Sequence, residues 1–81
     1  MNIDEERKRI GQRIADLRAT VKWTDGNGVH RIGMSQGDLA IRSGLSQSHI
    51  SRIEAGRYSF RLSTLQQIAE ALGGYIDIVA Q

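Results

Sequence analysis

Between Ser46 and Gly56 the chain reads SQSHISRIEAG, a run whose polar side chains have the chemistry to read or hold a polyanion. Gln47 carries a carboxamide that matches the N6/N7 edge of adenine, and Arg52 a guanidinium that matches O6/N7 of guanine. Ser48 can donate to or accept from several bases. Each has a plainer reading beside this one: a helix cap for Gln47, a surface ion pair for Arg52. His49 either contacts a phosphate or faces solvent. Ser51 and Arg57 suit backbone oxygens, which set register and carry no sequence information, and Arg42 and Arg61 are candidates of the same kind.

Other chemistries find no support. No base and orienting group stand beside a serine to make a nucleophile. With no cysteine and only two histidines, His30 and His49, no metal site is expected, and neither is a disulfide. Asp25-Gly26-Asn27-Gly28 lacks the remaining ligands of a calcium loop. No glycine run has the spacing of a phosphate loop, so neither a cofactor nor an enzymatic role is expected.

The charge pattern agrees with a polyanionic partner. The net charge of 81 residues is only +2, but 9 of the 11 basic residues are arginines. From Val29 to Arg61, Arg31, Arg42, Arg52, Arg57 and Arg61 outnumber Asp38 and Glu54, a local +3. The planar, five-donor arginine fork suits phosphate. No apolar run is long enough to span a membrane, and no signal-peptide pattern opens the chain, so a soluble, cytoplasmic chain is expected.

The elements that must position these residues follow from periodicity. Asp4 to Arg18 is helical, with Ile10, Ile14 and Leu17 on one stripe and Arg7, Lys8, Arg9 and Arg13 opposite. Residues 20–33 carry two turn pairs, Asp25-Gly26 and Asn27-Gly28, flanked by Val21, Trp23, Val29 and Ile32, and read as a short hairpin or ordered loop. Ser35 caps a helix reaching Arg42, with Asp38 placed to close a capping box. Gly44 turns the chain, and Ser46 caps the helix Gln47 to Ala55, whose inward positions are Ile50 and Ile53. Two helices joined by a short glycine turn are the signal of a helix-turn-helix. After a loop anchored by Tyr58 and Phe60, Ser63 caps a last helix, Thr64 to Leu72. Tyr75 to Val79 alternates and is rich in β-branched residues, so it reads as a strand in need of a partner, from the hairpin or from a second copy.

The runs IGQRIADLR and MSQGDLAIRSGLSQSHISRIEAGRYSFRLSTLQQIAEALGG resemble the Xre/Cro-type helix-turn-helix family of phage and bacterial repressors. The resemblance implies an all-α bundle of about five helices in a single domain, 1–81, bearing an insertion at 20–33 and a dimerisation strand or tail at 75–81. It implies that Gln47 to Ala55 is the recognition helix, with Gln47, Ser48 and Arg52 at the base-reading positions. Gln36 would contact phosphate and brace that helix, and Arg18 would pair with Glu54. Two departures stand out: the long link at 20–33, and the missing proline after the recognition helix, where Phe60-Arg61 stands. By the same resemblance the protein is a transcriptional regulator, a repressor binding a palindromic operator in double-stranded DNA as a homodimer through Tyr75, Ile76 and Ile78. The alternative is an antitoxin-like module that neutralises a toxin and autoregulates its operon.

Overall fold

The computed structural model describes residues 2–57 and 59–80. Four helices and one hairpin follow in the order α1 (Ile3–Thr20), β1 (Lys22–Thr24), β2 (His30–Ile32), α2 (Gln36–Ser43), α3 (Gln47–Glu54) and α4 (Leu62–Ala71). Among the described residues the helix count is therefore four, not the five implied by the resemblance. Residues 75–80 form neither helix nor strand. The Gly74 N–H bonds back to Ala69 O and ends α4, and the five residues beyond find no partner strand among the described residues.

Local signals fix most of the boundaries. Asn2 caps α1 by accepting from the Glu5 N–H, and Asp4, Glu5 and Glu6 lie at its positive end. Ser35 and Asp38 form the reciprocal capping box of α2, and Gly44 closes that helix in the left-handed region, φ 78°. Ser46 Oγ accepts from His49 N at the start of α3. Helix α4 differs from expectation: it starts at Leu62, with Arg61 as an N-cap lacking a side-chain bond, so Ser63 lies inside the helix. The anchoring role expected of Tyr58 falls outside the described residues, whereas Phe60 packs on the core.

The 20–33 segment is an antiparallel hairpin pairing Lys22 with Ile32, Trp23 with Arg31 and Thr24 with His30. Asp25 organises its turn, accepting from the Asn27 and Val29 N–H groups through Oδ1 and from Arg31 Nε through Oδ2. Trp23 docks the hairpin: its indole N–H donates to Gly33 O at 2.8 Å, and the Arg42 guanidinium lies over its ring at 5.3 Å.

Leu39, Ile50, Ile53 and Ile68 form the fully buried centre, drawn from α2, α3 and α4, with Ile14 joining from α1. Two devices seat α3 on α1. The first is Gly11, where a Cβ would stand 2.3 Å from Ile53 O and 2.7 Å from Glu54 O, so the two backbones meet with no room for a side chain. The second is the Glu54 carboxylate, only 7% exposed. It accepts from Arg18 Nε at 2.8 Å and Nη2 at 2.9 Å, and from Gln36 Nε2 at 3.1 Å. Arg18 also donates from Nη1 to Met34 O, and Glu54 holds its guanidinium pKa above the ordinary value. One carboxylate thus joins α1, α2 and α3.

Three outcomes test this packing. Gly11→Ala gains helix propensity of about 1 kcal/mol, but the steric conflict with the α3 carbonyls dominates. A net loss of about 1–3 kcal/mol is expected in urea unfolding. Arg18→Met leaves a nearly buried carboxylate without its cation and costs about 3 kcal/mol in the same assay. Glu54→Gln, which keeps an acceptor oxygen, costs less. The third outcome concerns pH. The Ser35 N–H and hydroxyl hold the Asp38 carboxyl below its ordinary value, and Arg31 leads the causes that do the same for Asp25. Depressed folded-state values contribute stability that is present above the unfolded aspartate pKa of about 3.9 and is lost as pH falls through the folded value. Thermal melts should be flat from neutrality to about pH 5 and decline below pH 4, less steeply in Asp38→Asn.

Candidate nucleic-acid interface

Helix α3 has two faces. Ile50 and Ile53 are fully buried, while Gln47, Ser48, Ser51 and Arg52 are exposed on the side away from the core. Ser48, Ser51 and Arg52 follow the i, i+3, i+4 spacing, so they stand on adjacent turns of one face. A helix with its side chains is about 10–12 Å across, which matches the width of a DNA major groove. Arg52 makes no ion pair among the described residues, which leaves its fork available to a ligand.

The remaining candidates divide. His49 is half-buried next to these groups, with its backbone N–H capped by Ser46 Oγ. Arg57 and Arg61 are exposed in the loop that follows α3. Gln36 sits at the first position of α2, but its amide nitrogen is turned inward onto Glu54, so the side chain braces α3. Arg42 is engaged within the fold: Nε donates to Ala71 O, and its plane covers Trp23. That position clamps the hairpin and the end of α4 to α2, away from the α3 face. Tyr75 and Ile78 are 84% and 93% exposed, and Ile76 lines an apolar groove of about 220 Å³ between α1 and α4.

Two cations on the face of α1 opposite its apolar stripe lie against the segment that follows α3. Arg7 donates to Ser59 Oγ in the loop after α3, at 3.2 Å. Lys8 crosses Gly56, where a Cβ would stand 2.7 Å from Lys8 Cγ and 3.0 Å from Lys8 Cα. Both therefore flank the C-terminal end of α3, near Arg57. No spacing in the sequence signals this, because it depends on where α1 crosses α3. Among the described residues no acidic, histidine or cysteine group is arranged to hold a metal ion, and no helix is long and apolar enough to cross a membrane.

Comparison with known proteins likewise finds a helix-turn-helix. The helix-turn-helix family profile matches residues 31–79. An uncharacterized HTH-type transcriptional regulator of Sinorhizobium fredii (strain NBRC 101917 / NGR234) is 32% identical over 74 residues, covering 90% of this chain and 82% of that protein. The putative antitoxin HigA3 of Mycobacterium tuberculosis (strain ATCC 25618 / H37Rv) is 45% identical over 47 residues, covering 57% of this chain and 43% of that one. The immunity repressor protein of Bacillus phage phi105 is 36% identical over 70 residues, covering 86% and 41%. The chain thus spans less than half the length of the antitoxin and of the phage repressor. Among solved structures, the restriction-modification controller protein C.AhdI from Aeromonas hydrophila superposes with a TM-score of 0.68 at 28% identity, over 86% of this chain and 89% of that one. The matched residues contain all of α2, α3 and α4, and with the geometry of those helices they establish that the chain belongs to the Xre/Cro-type helix-turn-helix family.

Proposed function

We propose that the protein is a sequence-specific DNA-binding transcriptional regulator that acts in the cytoplasm. The observation that carries this reading is the α3 face: Gln47, Ser48 and Arg52 exposed on a helix whose other side is locked to the core by Ile50, Ile53 and Glu54. A rigid helix of that kind enters the major groove with its side chains already placed. Gln47, Ser48 and Arg52 read bases. His49, Ser51, Arg57 and Arg61 hold the sugar-phosphate backbone, and Gln36 acts from the brace position.

The active form is a homodimer on an operator with two-fold symmetry, its recognition helices in major grooves about 34 Å apart. Support for pairing comes from the exposed Tyr75, Ile78 and Val79 beside the α1–α4 groove, apolar surface that a second copy can cover. The mechanism is repression by occlusion of overlapping promoter sequence. A second reading has one observation in its favour, the likeness to a protein described as a putative antitoxin. In that reading a toxin covers the tail, and DNA binding serves autoregulation.

Selection from randomised duplexes, with sequencing of the bound fraction at two salt concentrations, tests the proposal. A palindrome with half-sites about one turn apart is the expected product; weak, salt-erased, sequence-blind binding would remove the support for it. Arg52→Ala should cost about 1–3 kcal/mol and relax preference at one base pair of each half-site. Arg57→Ala should weaken all sequences alike and reduce the salt slope by about one. Equal effects of both variants on every sequence would refute the division into reading and holding residues.

A further inference from the structure

We propose that Lys8 of α1 is a DNA-holding residue, whose ammonium meets the phosphate flanking the C-terminal end of α3 beside Arg57. This rests on the DNA-binding reading above and goes beyond it, because it adds a contact from a helix outside the helix-turn-helix.

The end of α3 is built so that cations gather there. The Gly56 N–H bonds to Ile53 O and the Arg57 N–H to Arg52 O, each at 3.0 Å, with Gly56 in the left-handed region at φ 71°. This pairing is the Schellman turn, which folds the residue after the glycine back against the last turn of the helix. An apolar pair often fills the two positions so joined. Here they are Arg52 and Arg57, both exposed, and neither makes an ion pair among the described residues. Two like charges held near each other favour an anion beside them.

Helix α1 supplies a third cation. Lys8 lies one turn before Gly11, on the side of α1 that meets α3. A Cβ on Gly56 would stand 3.0 Å from Lys8 Cα and 2.7 Å from its Cγ. The lysine stem therefore covers the turn, while the residue as a whole is exposed, so its ammonium extends past the end of α3. Nothing neutralises it: its helix neighbour Asp4 is paired with Arg7, and Lys8 has no ion pair among the described residues. Arg7 also donates to Ser59 Oγ, which ties the same turn of α1 to the loop that follows Arg57. A lysine is a point charge on a flexible stem, suited to phosphate more than to the bidentate edge of a base. The contact therefore adds affinity without sequence preference.

Anisotropy titrations of the full chain compare the wild type with Lys8→Met, Lys8→Arg and Lys22→Met on two duplexes, the one recovered by selection and a scrambled one. Methionine keeps an unbranched stem over Gly56 and removes the charge. Lys22 is the only other lysine and lies on the hairpin, in a cleft it shares with Arg42 and Ala71. In Lys8→Met the slope of log affinity against log salt should fall by about 0.9 per bound subunit, equivalent to about 3–4-fold between about 50 and 200 mM. The decrease should be equal on both duplexes, with the preferred bases unchanged, and both Lys8→Arg and Lys22→Met should keep the wild-type slope. An unchanged slope in Lys8→Met overturns the proposal, and a shifted urea midpoint with that slope would assign Lys8 to packing alone. An equal decrease in Lys22→Met also overturns it, because net charge would then be the cause. If Lys8→Met does not fold, amine acetylation of the wild type decides. DNA should protect Lys8 and not Lys22, and equal labelling of Lys8 with and without DNA refutes the contact. A wild type that binds no duplex sinks the regulator reading and this contact with it. Sequence-blind binding that retains the Lys8 effect would sink the regulator reading and leave the contact standing.

Discussion

The Glu54 carboxylate is the point on which the arrangement depends. It is nearly buried, and it is tolerated because Arg18 meets it with two parallel N–H···O bonds and Gln36 supplies a third. The donors come from α1 and α2 and the carboxylate from α3, so satisfying one charge fixes the mutual positions of the three helices. A hydrophobic contact between the same helices would allow sliding by a fraction of a turn. A forked ion pair has one geometry, and the base-reading role proposed for α3 requires that precision.

The close approach at Gly11 acts in the same sense. It lets the α1 backbone come against the last carbonyls of α3, which shortens the reach Arg18 must cover. On the opposite flank, Arg42 ties three structures together: its own helix α2, the end of α4 through Ala71 O, and the hairpin through Trp23. The support helix α2 is therefore held from both sides, and α3 inherits its rigidity across the short Gly44–Ser46 turn.

What the sequence made legible was local. Ser35 with Asp38, Ser46, and the Asp25-Gly26 and Asn27-Gly28 pairs act within a few residues, and their spacing alone locates two helix starts and a hairpin turn. The Arg18–Glu54 pair lies 36 positions apart, and it was accessible only through likeness to a known family. Local propensity shows only the cost of Gly11 within α1, since the carbonyls it admits belong to another helix. Arg42 read as a candidate for backbone oxygens, because nothing near it in the chain announces the indole beneath it or the Ala71 carbonyl. The alternation of Tyr75 to Val79 was real, yet alternation records which faces a strand would present and not whether a neighbour exists. Among the described residues no neighbouring strand is in place, and the segment is irregular.

The docking of Trp23 gives the molecule a built-in optical reporter. It is the chain's single tryptophan, bonded through its indole N–H to Gly33 O and stacked under a guanidinium at the seam between the hairpin, α2 and α4. Its emission senses the polarity and charge of that seam and is remote from the polar face of α3. Light from one residue can therefore distinguish a hairpin that lets go of the body from a recognition helix that merely meets its ligand.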